Sequence, residues 1–214
     1  MKYLDELKRN WNSFFLSKKN IYFFITILVL LALVLGLFTR FLQYVELRNG
    51  FAFDDPILIQ FNPIDLTWII FIMIYGGLVL ALISLVKSPQ VLTLALLTYL
   101  LMVIFRIAAM YTLPLNPPES MLALKDPFVE LFGGGKTLTK DLFFSGHTAT
   151  SLIFFLTAKN KIIKKIFLFL TVVMGASVLL MHVHYSVDVL IAPLVSFTAF
   201  IISKNILKKF EIFS

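Results

Sequence analysis

The sequence predicts an all-α fold: a bundle of six transmembrane helices preceded by an amphipathic helix in the membrane interface. Three observations support this prediction. The 214-residue chain is 59% hydrophobic and only 14% charged, whereas soluble domains are nearer half apolar and a quarter charged. Six apolar runs approach or reach the length that crosses a bilayer. The basic residues stand in short clusters between these runs, which is typical of spans oriented by positive charge.

The chain divides into three predicted parts. Residues 1–20 alternate charged side chains with aromatic ones at helical spacing, including Trp11 and Phe14. This pattern predicts a cytoplasmic, interfacial amphipathic helix, and a solvated basic tail is the alternative. Residues 21–203 are expected to form the six-helix transmembrane domain, and residues 204–214 a basic cytoplasmic tail. The predicted spans are residues 21–38, 68–86, 91–110, 143–158, 166–181 and 187–203.

Two polar segments interrupt the apolar runs. In residues 39–67, turn-forming residues surround Asp54 and Asp55. This pair either helps to recognise a lipid head group or belongs to a solvated turn. Residues 111–142 form the longest loop, in which the Gly133–Gly135 run predicts a flexible turn near the site. That run lacks the spacing of a nucleotide-binding loop, and no strand precedes it.

The distribution of charge predicts the orientation in the membrane. With both termini inside, the inner segments carry thirteen basic residues and the outer segments five. Positive charge favours the cytoplasmic side, so we expect a multi-pass protein with cytoplasmic termini. The net charge of +7 is explained by these clusters rather than by nucleic acid binding. The absence of cysteine from the sequence excludes disulfides and thiolate chemistry.

All three histidines of the chain, His147, His182 and His184, lie where apolar runs begin or end. Ionisable groups in such positions are costly in a membrane protein and indicate a functional site. If the last helix starts near Tyr185, His184 and Asp188 share one helix face. Asp188 can then fix the imidazole tautomer, which leaves the other ring nitrogen free to attack as a nucleophile.

Ser145-Gly146-His147 lies where the fourth predicted span begins. A helix N-terminus offers free N–H groups that suit a phosphate, and glycine lets the backbone come close to it. His147 is placed to protonate a leaving oxygen. Arg106, about a turn from the end of the third span, either extends its guanidinium to the interface or binds an anion and stabilises the transition state. The predicted orientation puts all these groups on the outer, periplasmic or exoplasmic side.

Three stretches of the sequence resemble the type 2 phosphatidic acid phosphatase superfamily, whose members share Ser-Gly-His and a later His-x-x-x-Asp on six helices. Within it the chain is more similar to the sphingomyelin synthase branch. Arg106–Pro114 ends in Thr-Leu-Pro, Asp141–Thr148 reads Asp-x-x-Phe-Ser-Gly-His-Thr, and His184–Val189 reads His-Tyr-Ser-x-Asp-Val. Together with the matching spans, the resemblance covers most of residues 68–203.

The resemblance implies a role for each matching residue. His184 is the expected nucleophile that takes the phosphoryl head group, Asp188 orients it, and His147 acts first as acid and then as base. No metal or other cofactor is expected. The residues expected to bind substrate or phosphate are Arg106, Asp141, Ser145, Gly146 and Tyr185.

The sequence departs from the phosphatase pattern at two cationic positions. Val178 stands where the phosphatases carry an arginine six residues before the nucleophile, so Ser177 has no arginine beside it. Ile107 follows Arg106, so the phosphatase Arg-Pro pair is also missing. Fewer cations favour a phosphodiester over a doubly charged phosphomonoester. These departures therefore favour transfer between lipids over phosphate hydrolysis.

Four hypotheses remain open from the sequence. The first is an enzyme that moves a phospho-head group from a glycerophospholipid to a lipid alcohol, such as ceramide or diacylglycerol. The second uses the same site with water as the acceptor, as a lipid phosphatase or phosphodiesterase. The third is a zinc site formed by His147, His182, His184 and Asp188, since imidazole and carboxylate are suitable ligands. The fourth is a membrane scaffold or channel in which the histidines are satisfied polar groups.

Overall fold

The computed structural model describes residues 2–124 and 137–212, and across these two ranges the chain is helical without any strand. The all-α prediction is confirmed, and five of the described helices are long and apolar enough to cross a membrane. The helices are α1 Lys2–Phe15, α2 Lys18–Leu47, α3 Thr67–Leu85, α4 Pro89–Thr112, α5 Gly146–Thr157, α6 Lys161–Leu180 and α7 Ser186–Lys209. The predicted turn at Gly133–Gly135 lies outside the described residues.

The helices begin where the sequence supplies N-terminal caps. The Ser17 hydroxyl accepts the Asn20 N–H at the start of α2, and Asn160 accepts two N–H groups at the start of α6. Pro89 occupies the first turn of α4, where its missing N–H costs nothing. Because Asn160 caps the chain so early, α6 begins at Lys161 rather than at the predicted residue 166.

Helix α2 is longer than the predicted first span. It continues from the apolar run through Thr39-Arg40 and ends only at Leu47. The reason is that no helix breaker occurs before Asn49-Gly50. Gly50 itself is required by a close approach, since a Cβ there would lie 2.7 Å from the Leu115 carbonyl carbon. The extra turns carry Glu46 out of the apolar segment toward the site.

Helix α5 is shorter than the fourth predicted span. It has 12 residues, or about 18 Å at 1.5 Å per residue, which is less than the hydrocarbon thickness. It nevertheless starts beside Arg106, while Lys159 just after it hydrogen-bonds Ser88 at the other end of α4. The chain therefore passes from one end of α4 to the other within residues 146–159. A sixth membrane crossing here stays a prediction.

Helix α4 is the centre of the bundle. In its apolar window 61% of the residues are buried, against 6% for α2. It packs on α2, α5 and α7, and α5 also packs on α6 and α7. The ends of α4, α5 and α7 that carry predicted site residues consequently meet at one end of the bundle.

Helix α1 is attached to the opposite end. Phe14 is buried, the Trp11 indole donates to the Val86 carbonyl, and the Asn10 amide donates to the Lys87 carbonyl. These contacts argue against a solvated tail. The placement of α1 in a membrane interface stays a prediction, as does the orientation of the termini.

Candidate active site

The His184 and Asp188 side chains form a buried pair at the start of α7. The distance from His184 Nδ1 to Asp188 Oδ2 is 3.2 Å, and the two side chains are 2% and 0% exposed. Asp188 Oδ2 also accepts the Tyr185 N–H, at 3.1 Å, which ties the carboxylate to the first turn of its own helix. The predicted i, i+4 geometry is present, and it directs Nδ1 of His184 toward the carboxylate.

The Tyr185 side chain is packed inside the protein. Its side chain is 1% exposed, its hydroxyl donates to the Asn116 carbonyl at 3.0 Å, and its ring stacks on Phe53 with centroids 4.2 Å apart. These contacts fasten the loops before α3 and after α4 to the start of α7. The structure thus gives Tyr185 a positioning role, and its predicted contact with substrate is not tested.

The Ser145-Gly146-His147 stretch opens α5 as predicted. The Ser145 hydroxyl accepts the Thr148 N–H and so caps the helix. Gly146 is required by the arginine beside it, because a Cβ at this position would overlap Arg106 Nη1. The guanidinium therefore rests directly on the first turn of α5, whose N–H groups and dipole also favour an anion.

Arg106 does not reach out to the surface. It is 5% exposed, and its Nη2 donates to Asp141 Oδ1 at 2.8 Å and to the Asp141 carbonyl at 3.2 Å. Its Nε has no hydrogen-bond partner among the described residues. A buried guanidinium paired with Asp141 does not fit the interpretation of Arg106 as an interfacial anchor, and its role as an anion ligand stays a prediction.

Asp141 holds Arg106, and Glu46 holds the segment before Asp141. The Glu46 carboxylate accepts the N–H groups of Thr139 and Lys140, each at 3.0 Å, and the Thr139 hydroxyl. No sequence pattern points to Glu46, because this residue lies more than ninety residues from its partners. These bonds form a chain of contacts from the end of α2 to the guanidinium.

The two histidine motifs are joined by their backbones. The Ser145 N–H donates to the Asp188 carbonyl, with N and O 3.1 Å apart. Further along, the side chains of Thr148 and Val189 both lie within 4 Å of the point that a Cβ on Gly175 of α6 would occupy. The first turns of α5 and α7 therefore lie side by side against α6.

A cavity of about 500 Å³ opens beside this junction. Arg106, Asp141, Gly146 and His147 line its polar end. His184 is not among the described residues that line it, although its helix is bonded to Ser145. The structure therefore brings four of the predicted site residues to one cavity and connects the His184–Asp188 pair to them through the backbone.

Asp55 does not belong to a solvated turn, and a head-group contact of the Asp54–Asp55 pair stays a prediction. It is 2% exposed, and its carboxylate accepts the N–H groups of Ser186 at 2.6 Å and Ile57 at 2.8 Å. Burial opposes its ionisation, but these hydrogen bonds outweigh burial and hold the pKa of Asp55 below its ordinary value. Asp55 thus fixes the start of α7, while Asp54 is exposed.

His182 lies outside the junction of the two motifs. Its Nδ1 hydrogen-bonds the Ser120 hydroxyl, and its ring meets Phe61 edge-on, with centroids 5.1 Å apart. Burial lowers the pKa of His182, although the Asp55 charge acts in the opposite direction. The zinc hypothesis needs at least three ligands together, and no group of three His, Cys, Asp or Glu side chains converges within residues 2–124 and 137–212.

The comparisons with known proteins agree with this geometry. Residues 140–205 match the family model described as PAP2 superfamily C-terminal, a segment that contains both histidine motifs. No curated protein matches the chain. The family match supports a membrane-embedded lipid enzyme of the phosphatase or phosphotransferase type, and it does not distinguish the sphingomyelin synthase branch.

Proposed function

We propose that this protein transfers a phospho-head group from a glycerophospholipid to a lipid alcohol, ceramide or diacylglycerol, through a phosphohistidine at His184. The observation that carries the proposal is the hydrogen bond from Ser145 to the Asp188 carbonyl. It fastens the motif that contains the acid to the motif that contains the nucleophile. Two motifs that are thirty-seven residues apart in sequence thereby share one end of the bundle.

The first half-reaction forms the covalent intermediate. Asp188 accepts a hydrogen bond from the Nδ1–H of neutral His184, which leaves the Nε2 lone pair free to attack the phosphorus of the donor diester. A phosphorus–nitrogen bond forms, and the bond from phosphorus to the diacylglycerol oxygen breaks. His147 in its protonated form gives its proton to that oxygen, and diacylglycerol leaves.

The second half-reaction reverses these roles. The now neutral His147 takes the proton of the acceptor hydroxyl, whose oxygen attacks the phosphorus. The phosphorus–nitrogen bond breaks, and Nε2 recovers its lone pair. Atoms and charge balance over the two half-reactions. Water can react in the same way as the acceptor hydroxyl, so transfer rather than hydrolysis depends on which of the two molecules the site admits.

The cations around the site suit a phosphodiester. Arg106 and the α5 N-terminus supply positive charge for the transition state. Val178, at the position of a phosphatase arginine, is fully buried in an apolar cluster with Met174 and Met181, so it adds none. A diester carries one negative charge, which the protonated His147 and the α5 N-terminus help to balance, because Arg106 is already paired with Asp141.

We further propose that the termini lie in the cytoplasm and that the site faces the periplasmic or exoplasmic leaflet. The polar end of the cavity lies near Arg106, at the end of α4 opposite the Lys159–Ser88 contact. The lysine-rich α5–α6 connection lies at that opposite end. Cysteine-accessibility labelling at Ser13 and at Asp54 should report opposite sides of the membrane, and labelling from one side would contradict this orientation.

The test of the function supplies the purified protein in vesicles with a donor lipid labelled in its head group. With ceramide or diacylglycerol present, the label should move to a new lipid, and little soluble head group should form. Release of soluble head group at the same rate without an acceptor would instead identify the hydrolase. Conversion that disappears in strong chelator and returns with zinc would contradict the metal-free mechanism.

A further inference from the structure

The cavity beside Arg106 extends far beyond its polar end. Its volume of about 500 Å³ lies in the range of ligand-binding pockets. Along α4 the lining runs from Arg106 to Leu92, which is about 21 Å of helix at 1.5 Å per residue. Among the described lining residues, the only acidic or basic side chains besides His147 are Arg106 and Asp141, and all three stand at one end. The cavity therefore has one polar end and one long apolar end.

The cavity opens sideways between α2 and α3. Both helices pack on α4, but they do not pack extensively on one another. Leu78 and Leu82 of α3 line the cavity and are also 43% and 48% exposed. Since α2 and α3 are candidate membrane spans, this opening faces the acyl chains of the bilayer rather than water.

Helix α3 is irregular where it lines the cavity. Residues Ile72–Gly76 form a π turn, a feature found frequently at functional sites, and Met73 and Ile74 within it line the cavity. Gly77 follows, and a Cβ there would approach Phe167 and Leu170 no closer than 3.8 Å. A Cβ at Gly77 would therefore make ordinary van der Waals contact with these two side chains, which line the cavity together with Gly77.

From these observations we infer that the cavity binds one acyl chain of the lipid whose phosphate lies at Arg106 and His147, and that its inner end limits the length of that chain. The identity of the head chemistry rests on the proposed function. Because the polar and apolar ends belong to one cavity, a single molecule can occupy both. A lipid matches them, since it has one anionic end and one long apolar end. A second chain of the same lipid leaves through the opening between α2 and α3.

The proposal is tested by binding, which does not require turnover. The probes are alkyl phosphonates of short and long chain length, titrated into the protein in nanodiscs. Affinity for the parent protein should rise about fourfold for each added methylene, from the transfer energy of a buried CH₂, and then level off when the chain reaches the inner end.

Ala95→Phe is the variant that shortens the cavity. Ala95 lines it about 16 Å of helix from Arg106, so a phenyl ring there should move the levelling-off to shorter chains. Affinity for the shortest phosphonate should be unchanged. Ala32→Phe is the matched control, because Ala32 is exposed on α2 beside the lining residue Leu31 and should leave the whole series as in the parent.

Gly77→Leu approaches the same space from α3 and repeats the test if Ala95→Phe does not fold. The same chain-length series in the parent and in both cavity variants would overturn the proposal, as would an equal effect of Ala32→Phe. The proposed function fails differently. Chain-length-dependent binding with no conversion of any labelled donor would leave the chain site standing and remove the transferase.

Discussion

His182 and His184 are two residues apart, and both are buried at the start of α7, yet their surroundings differ in kind. His184 faces a carboxylate, with 3.2 Å from Nδ1 to Asp188 Oδ2. His182 faces a hydroxyl and the edge of an aromatic ring, and burial lowers its pKa. The comparison teaches that two neighbouring buried histidines can differ in what they contact. Only His184 has a carboxylate beside it and a link to the Ser145 segment, which is why we propose His184 as the nucleophile.

The largest expected effect separates these two histidines. His184→Ala should reduce transfer to the background without enzyme, because no atom remains to take the phosphoryl group. His182→Gln, which keeps a hydrogen-bonding side chain beside Ser120, should retain most of the activity. The measurement is initial rate of head-group transfer for protein that elutes as the parent does. An equal loss of transfer rate in both variants would mean that His184 has no role that His182 lacks.

The next effect tests the carboxylate. Asp188→Asn keeps the shape of the side chain but no longer selects the tautomer of His184, so turnover should fall about ten-thousandfold. Donor lipid should still bind with little change, which a binding titration can verify. A loss of tenfold or less, with the fold intact, would mean that His184 does not need Asp188 as its orienter.

A smaller effect is expected on the other side of the site. Gly146→Ala would bring a methyl group onto the Arg106 guanidinium and force it away from the α5 N-terminus. We expect a loss of about a hundredfold to a thousandfold in kcat, the typical contribution of one transition-state donor. The control is Gly36→Ala on α2, where a Cβ meets nothing within 4 Å. An unchanged rate in Gly146→Ala would remove Arg106 from the mechanism.

The smallest effect is on stability and belongs to His182. Its folded-state pKa is lowered from 6.5, so the unfolded state binds the proton more readily. The native state is then favoured above pH 6.5, and that advantage is lost as the pH falls below it. His182→Gln should flatten the decline of Tm between pH 7 and pH 5. Asp55 does not interfere, because its own window lies below its ordinary pKa of 3.8. An identical decline in the variant would assign it to other groups.

The parts of the site that are local in sequence were predictable. His184 and Asp188 are one helical turn apart, so the start of α7 was enough to place them together. The Ser145 cap likewise follows from a serine before an apolar run. The i, i+4 contact of His184 with Asp188 is confirmed; the Ser145 cap was not predicted, and the catalytic roles stay predictions.

The parts that depend on tertiary contacts were not predictable. Asp141 pairs with Arg106 across thirty-five residues, and Asp55 reaches Ser186 across one hundred and thirty-one. No periodicity connects such residues. The predicted lengths of α2 and α5 were wrong for a related reason. Hydropathy reports only apolar runs, whereas α2 ends just before a helix-breaking pair and α5 begins at a capping serine.

The most direct test of the account is to trap the covalent intermediate. Protein is mixed rapidly with phosphorus-labelled donor in the absence of acceptor, quenched in alkali, digested and sequenced by mass spectrometry. The account predicts one acid-labile, alkali-stable phosphoramidate on His184, present in the parent and in His182→Gln but absent from His184→Ala. Label on His182 or His147, or full transfer activity in His184→Ala, would contradict it.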